Sequence, residues 1–379
     1  MALERWDQEK SFFPSVDVVV PCRNESPQLL DACAESLLRE ATEYPGEVTV
    51  HLVDDGSENL DDLGPVYKRY GKESGWRVEL LPENLGKRRA QATAARDGEG
   101  EIVVTVDSDT VIERGGLRNV VAQFRDERVG AVAGHVRPLN VTNRLTKLLV
   151  ERYKLVFERE RAAQSRFESV SCCAGPLAAY RRTALEGVWD RYVDQRFLGV
   201  KCISGDDLYL TILVLERDYK VRYEPRAVAR TQVPTTLRTY LRQQLRWNRS
   251  LYRELTHIVR LLRDRHYYLW LDVAARTLPP LLLGIQLCLV VMDIAVSRAH
   301  LLWDAGIVAA MVVVSACLAG RNSSGHFVLF YGLLYVTLLL PARFWALATL
   351  RNNEWGTRKV SPTPHARAQQ PTASTQVVP

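Results

Sequence analysis

Ile102-Val103-Val104-Thr105-Val106-Asp107-Ser108-Asp109-Thr110 opens as an apolar, β-branched run and closes on paired acids. The run Ile102-Val103-Val104 reads as a buried strand of a parallel sheet, since strands covered on both faces stay apolar along their length. Side chains alternate along a strand, so Asp107 and Asp109 are expected on one side as the strand runs out. Upstream, Val16-Asp17-Val18-Val19-Val20-Pro21 reads as another such strand, stopped at Pro21, and 48–53 and 78–81 as two more. Between the first two, Leu29, Leu30, Cys33, Leu37 and Leu38 share one helical face, and a further helix is expected from the Gly86-Lys87 turn through Ala95. Strands alternating with helices predict βαβ units and an α/β fold built on a parallel, Rossmann-like sheet.

In such sheets ligands sit beyond the carboxyl ends of the strands. Asp107 and Asp109 there repel each other unless a cation lies between them, and a divalent ion carrying a diphosphate fits. Solvated loop aspartates are the plain alternative. Asp54 and Asp55, in Asp54-Asp55-Gly56-Ser57, can accept hydrogen bonds from a base or ribose, or can serve as a helix cap. Lys87, within Gly86-Lys87-Arg88-Arg89, stands at a helix start, where backbone N–H groups favour phosphate. Together these make a nucleotide-diphosphate site in three pieces. Ser204-Gly205-Asp206-Asp207 leads into the helical run 208–217, and carboxylates in a first turn are held as anions. That suits a general base, which must begin ionised; an acidic cap is the alternative. Cys172-Cys173-Ala174-Gly175-Pro176-Leu177 is a small-residue turn that permits close backbone approach.

The mean hydropathy of the 379 residues, −0.14, hides a split between a charge-rich part to about residue 265 and an apolar part, 266–350. The net charge is +6, yet no zinc-ligand cluster, helix-turn-helix or aromatic RNA-binding signature appears, so no nucleic-acid partner is expected. A membrane surface takes the excess arginine. Seven irregularly spaced cysteines predict no disulfide framework, and the first residues lack the apolar core of a secretory signal. From 235 to 262 the pattern is helical and basic. Leu237, Leu241, Leu245 and Tyr252 form a seam with Arg238, Arg242, Arg249 and Arg253 around it, predicting an amphipathic helix in the bilayer interface. Gln243, Arg246 and Trp247 share a face there, a cation for phosphate beside an indole for a sugar ring. Stretches 277–296, bent by Pro279-Pro280, and 301–319 approach the roughly 20 residues that a hydrocarbon core needs. The basic flanks place the N-terminal part in the cytoplasm. Stretch 327–350, interrupted by Pro341 and Arg343, is expected to be re-entrant or interfacial, and 360–379 disordered.

In this order and spacing, Asp54-Asp55-Gly56-Ser57, Asp107-Ser108-Asp109, Glu160-Arg161-Ala162-Ala163-Gln164-Ser165, Gly175-Pro176-Leu177, Gly205-Asp206-Asp207, Gln243-Gln244-Leu245-Arg246-Trp247 and Trp355-Gly356-Thr357-Arg358 resemble processive, inverting membrane glycosyltransferases of the hyaluronan synthase type, relatives of chitin and cellulose synthases. The resemblance covers 16–359. It implies a GT-A-type mixed sheet with helices on both faces (1–232), an interface helix (233–265), membrane helices (266–350) and a gating loop (351–359) before the tail. It further implies UDP-GlcNAc and UDP-GlcA as donors to a growing polysaccharide, with chitin-like single-sugar transfer as the alternative. Asp54 or Asp55 would meet uridine, and Lys87, Gln243 and Arg246 the diphosphate. Asp107 and Asp109 would hold Mg²⁺ or Mn²⁺, and Asp207, beside Asp206, would be the base. Gly175, Pro176, Leu177 and Trp247 would line the acceptor, with Trp355, Thr357 and Arg358 closing over UDP. An inactive scaffold would have lost a metal or base carboxylate, and neither is lost. Such enzymes carry membrane helices ahead of the catalytic domain, whereas this chain begins almost at its first strand, so an oligomer, a partner or a misassigned start would account for what is missing.

Overall fold

Every residue of strand β1 (Val16–Cys22) is buried, as its β-branched composition requires of the centre of a sheet covered on both sides. The structure, a computed structural model, describes residues 12–261, 267–296, 302–303, 306–307, 309–310, 325–352 and 376–377. After β1 come α1 (Pro27–Glu43), β2 (Val48–Asp54), α2 (Leu60–Tyr70), β3 (Trp76–Leu80), α3 (Lys87–Asp97) and β4 (Ile102–Thr105). These pair in parallel as βαβ units, with Val18 in register with both Val50 and Val104. Beyond them lie β5 (Thr110–Ile112), α4 (Gly116–Ala122), β6 (Val129–Pro138), α5 (Arg144–Lys154), β7 (Ala178–Arg181), α6 (Asp206–Glu216) and β8 (Lys220–Thr231).

One nine-stranded sheet results, in the order β9-β3-β2-β1-β4-β7-β6-β8-β5, where β9 is the two-residue strand Gln376–Val377. It is mixed, as the resemblance implies, and not the parallel sheet that strand–helix alternation predicts: β7 runs antiparallel to both β4 and β6, and β5 antiparallel to β8. Two apolar layers flank it, one including Val19, Val103, Tyr180 and Leu213, the other Val18, Leu30, Val104 and Phe124. Register matters for the site. Cys22 pairs with Asp54 and Val19 with Thr105, so the residues following β1, β2 and β4 emerge at one edge.

Below that edge β1 buries a charge. Asp17, 2% exposed, takes hydrogen bonds from Gly100 N at 2.7 Å and His51 Nε2 at 3.1 Å and pairs with Arg182. Burial pushes its pKa up, but the His51 and Gly100 hydrogen bonds and the charges of His51 and Arg182 outweigh that and hold it below 3.8. Asp17→Asn is expected to cost about 1.5–3 kcal/mol of stability at pH 7, because it removes the charge from a set of buried hydrogen bonds, while Arg182 keeps its bonds to the Gly100 and Ala95 carbonyls. A depressed carboxylate stabilises above its unfolded pKa and loses that contribution as pH falls through the folded value. The gap between wild type and variant, read from denaturation midpoints, should therefore close toward acid. A constant gap from pH 7 to pH 3 would refute this.

The helices beyond residue 144 hold features that the sequence pattern does not give. Helix α5 ends at Lys154, the chain winds as a π-helix over Leu155–Arg161, and α-helix returns over Ala162–Arg166. Helix α7 (Leu237–Leu261) is amphipathic as expected, yet Arg249 and Arg253 lie on its buried face rather than beside headgroups. They donate to Thr349 Oγ1 (2.9 and 3.1 Å) and to the carbonyls of Leu350 (2.7 and 2.9 Å) and Asn352 (2.8 Å), satisfying the end of the last helix. Helix α8 (Tyr267–Val296) runs through Pro279 and Pro280. Helix α9 starts at Gly325–Leu334 and is not broken at Pro341: a π-turn over Tyr335–Leu339 absorbs the missing N–H, and α-helix resumes over Leu340–Ala348. Arg343 turns inward, donating to Arg276 O (2.7 Å) and Tyr252 Oη (3.1 Å). Leu269–Val296 and Phe330–Ala348 are each long and apolar enough to cross a membrane. Most of the stretch 301–319 and nearly all of the tail expected to be disordered lie outside the described residues.

Candidate active site

Asp107 and Asp109 sit not on a strand but in the turn between β4 and β5, closed by Thr110 N donating to Asp107 O at 3.0 Å. Both line a cavity of about 1540 Å³ that runs from the sheet edge to helices α7, α8 and α9. Asp109 Oδ1 accepts from Thr231 Oγ1 at 3.0 Å, which ties the turn to the end of β8. Gly175 approaches from the other side. A Cβ there would lie 2.8 Å from Asp107 Oδ2, so a larger residue would fill the space beside the carboxylate.

Lys87 is the bridge across the site. Its Nζ lies 2.7 Å from Asp107 Oδ1 and 2.7 Å from Asp206 Oδ2. Burial disfavours the ammonium, but the charges of Asp107 and Asp206 and their hydrogen bonds outweigh this and hold its pKa well above 10.5. The neighbouring aspartates diverge. Burial pushes both up; the Lys87 charge and hydrogen bond turn Asp206 below its ordinary value, whereas the Asp206 charge adds to burial and keeps Asp207 raised. Two carboxylates pushed apart in this way are suited to different tasks, one held as an anion and one able to exchange a proton.

Asp207 is oriented by its own helix. Leu208 N donates to Asp207 Oδ1 at 2.8 Å and Thr211 Oγ1 to Asp207 O at 2.7 Å. Gly205 makes the preceding turn at φ 78°, where a Cβ would come within 2.6 Å of Ser250 on α7. Only glycine combines that φ with that approach. Helix α7 in turn brings Gln243, Arg246 and Trp247 to the cavity, the Trp247 indole 45% exposed.

Asp55, Lys87, Asp107, Asp109, Gly175, Pro176, Asp206, Asp207, Gln243, Arg246 and Trp247 thus face one cavity, although they come from separate stretches of chain. Two predicted residues do not. Asp54 is fully buried and spends its carboxylate on Ser57 N, Ser57 Oγ and Tyr67 Oη, at 2.5 to 2.7 Å; of the pair, Asp55 borders the cavity. Asp55 itself accepts from Leu85 N (2.7 Å) and Gly86 N (3.0 Å), and burial pushes its pKa up. Leu177 is fully buried and packs against Gly134, beneath the turn that Gly175 and Pro176 expose. Trp355, Thr357 and Arg358 lie outside the described residues.

Sequence reasoning gave no role to several residues at or behind the wall, although Glu160 and Gln164 stand in a motif quoted above. Arg23 and Asn24, after β1, border the Asp55 end. At the opposite end Glu160 pairs with Arg152 (3.2 Å) and Arg276 (3.6 Å), and Asp272 with Arg276 (3.1 Å) and Gln164 (2.9 Å). The π-helix over Leu155–Arg161 takes Glu160, and the helix that follows with Gln164, off the register a 3.6-residue period assigns, so periodicity carried no signal for this network.

Among the described residues no group of three or more His, Cys, Asp or Glu side chains forms a metal cluster. Asp107 and Asp109 nevertheless suit a hard cation that takes its remaining ligands from phosphate and water, the usual mode for Mg²⁺ beside a diphosphate, and the space Gly175 leaves at Asp107 is compatible with it.

Residues 17–189 match the family described as Glycosyl transferase family 2. The chain is similar to a protein of Rhizobium sp. (strain N33) named N-acetylglucosaminyltransferase, 40% identical over 363 residues, which span 94% of this chain and 80% of that one. It is similar to another of that name from Bradyrhizobium diazoefficiens, 39% identical over 374 residues, 98% and 77% of the two chains. Among solved structures it resembles a mannosyltransferase of Pyrobaculum calidifontis in complex with GDP-Man and Mn²⁺, with a TM-score of 0.56 and 22% identity over 92% of this chain and 91% of that one.

Proposed function

Since the chain belongs to glycosyltransferase family 2, we propose that it is an inverting β-N-acetylglucosaminyltransferase that extends a chitin-like chain from UDP-GlcNAc. One observation supports the reading most: Lys87 stands 2.7 Å from both Asp107 and Asp206, a cation that would grip a diphosphate beside the candidate base Asp207. The names of the relatives favour the single-sugar expectation over the two-donor hyaluronan one.

In this reading Asp55 meets the uridine, Lys87 and Arg246 hold the diphosphate, and Trp247 stacks on the acceptor sugar. Asp107 and Asp109 would hold Mg²⁺ or Mn²⁺, which supplies charge for the departing diphosphate. The acceptor hydroxyl oxygen bonds to C1 as the bond from C1 to the diphosphate oxygen breaks. UDP leaves with that electron pair and Asp207 receives the hydroxyl proton. Helices α8 and α9 anchor the enzyme in the membrane, with the sheet on the cytoplasmic side.

The test offers labelled UDP-GlcNAc and UDP-GlcA, singly and together, to the full chain in nanodiscs. A β-linked product from UDP-GlcNAc alone is expected, stopped by EDTA and restored by Mn²⁺ or Mg²⁺. A product formed only when both donors are present would return the reading to a hyaluronan-type synthase.

A further inference from the structure

Arg88 directly follows Lys87 in the first turn of α3, yet it is 5% exposed and faces away from the cavity wall. Its guanidinium grips main chain: Nη1 donates to Tyr192 O at 2.9 Å and Nη2 to Ser204 O at 3.1 Å. It lies against two rings, 5.2 Å from the centroid of Tyr192 and 5.4 Å from that of Tyr209. Its Nε has no hydrogen-bond partner among the described residues. Burying a guanidinium to hold two carbonyls, with its Nε left without a partner, is an expensive way to fill space, and an aliphatic side chain would do that better.

The two carbonyls have a particular place. They bracket the loop 193–203, so Arg88 staples its ends together, and Ser204 is the last residue before Gly205-Asp206-Asp207. On its far side the same turn is fixed by α7, where Ser204 Oγ lies 3.3 Å from Ser250 Oγ and Gly205 leaves no room for a Cβ. Adjacent side chains of one helix therefore hold the two halves of the site, Lys87 through Asp107 and Asp206, Arg88 through the backbone leading into Asp207.

We propose that Arg88 is a positioning residue that sets the placement of Asp207 relative to the donor by clamping the Tyr192 and Ser204 carbonyls. The proposal rests on the reading of Asp207 as the base. Its physical requirement is modest: displacement of a reacting group by about an ångström costs on the order of 10²-fold in rate. Lysine retains the charge but not the planar fork that reaches both carbonyls.

The test compares Arg88→Gln and Arg88→Lys with Asp207→Asn in the full chain in nanodiscs, using UDP as the binding probe and UDP-GlcNAc as donor. For Arg88→Gln a fall in kcat of about 10²-fold is expected, with UDP affinity and donor KM held within roughly twofold. A larger share of the donor should go to water instead of acceptor, and Arg88→Lys should recover part of the lost kcat. Unchanged kcat in Arg88→Gln overturns the proposal. So does a parallel loss of kcat, UDP affinity and melting temperature in both variants, which would make Arg88 a framework residue only. Full transfer by Asp207→Asn would remove the base reading and the proposal with it, whereas lost transfer there beside unchanged kcat in Arg88→Gln overturns the proposal alone.

Discussion

Asp207→Asn is expected to lower turnover by about 10²–10⁴-fold, the usual contribution of a positioned general base, while UDP affinity stays within a few-fold of wild type. The substitution keeps the size of the side chain and an oxygen able to accept from Leu208 N, so the turn at Gly205 is preserved. What it removes is the group that takes the acceptor proton. The pH profile provides a second reading. Burial and the charge of Asp206 hold Asp207 above 3.8, and a base works only when ionised. Turnover should therefore fall as pH drops through that raised value, and the residual rate of Asp207→Asn should lack this acid limb. Wild-type turnover in the variant would remove Asp207 from the role. An unchanged acid limb on a reduced rate would assign the titration to another group.

Lys87→Met should have an effect of similar size through both binding and rate. The ammonium lies between Asp107 and Asp206, and removing it leaves two closely placed carboxylates to repel each other and any incoming diphosphate. Loss of one cationic clamp on a leaving group costs about 10²–10³-fold. UDP affinity is expected to fall at least about tenfold and kcat/KM further, because the charge is needed most as the diphosphate departs. This pattern separates Lys87 from Asp207, whose replacement spares UDP binding. Calorimetric titration of UDP into the two variants measures the difference; equal affinities would contradict the assignment of Lys87 to the diphosphate.

Some of the molecule could be read without coordinates because the signals are local. The β-branched runs at Val16, Val48 and Ile102 form strands since such side chains fit only a sheet covered on both faces, and Pro27 stands at the first turn of α1, where its missing N–H is harmless. Glycines at 86 and 205 mark turns with positive φ ahead of helices. Nonlocal pairing escaped. Strand β7, Ala178–Arg181, gives no sign in its own residues that it will insert antiparallel between β4 and β6 and convert a parallel sheet into a mixed one. Asp54 and Asp55 are equivalent as letters; the side chain that meets Ser57 and Tyr67 becomes structural and the other borders the cavity.

The order of residues alone determined the chemical inventory: which carboxylates, cations and indole are present, and that strands alternating with helices would bring strand ends to one edge, because propensity and periodicity are set by neighbours within a turn or two. Tertiary structure alone decided the arrangement. Lys87 meets Asp206 across 119 residues of chain, Arg88 meets the Ser204 carbonyl, and Arg253 leaves the headgroup side to hold the end of α9. Each of these contacts depends on the packing of elements far apart in sequence, where a buried charge goes to whatever partner the fold brings within reach.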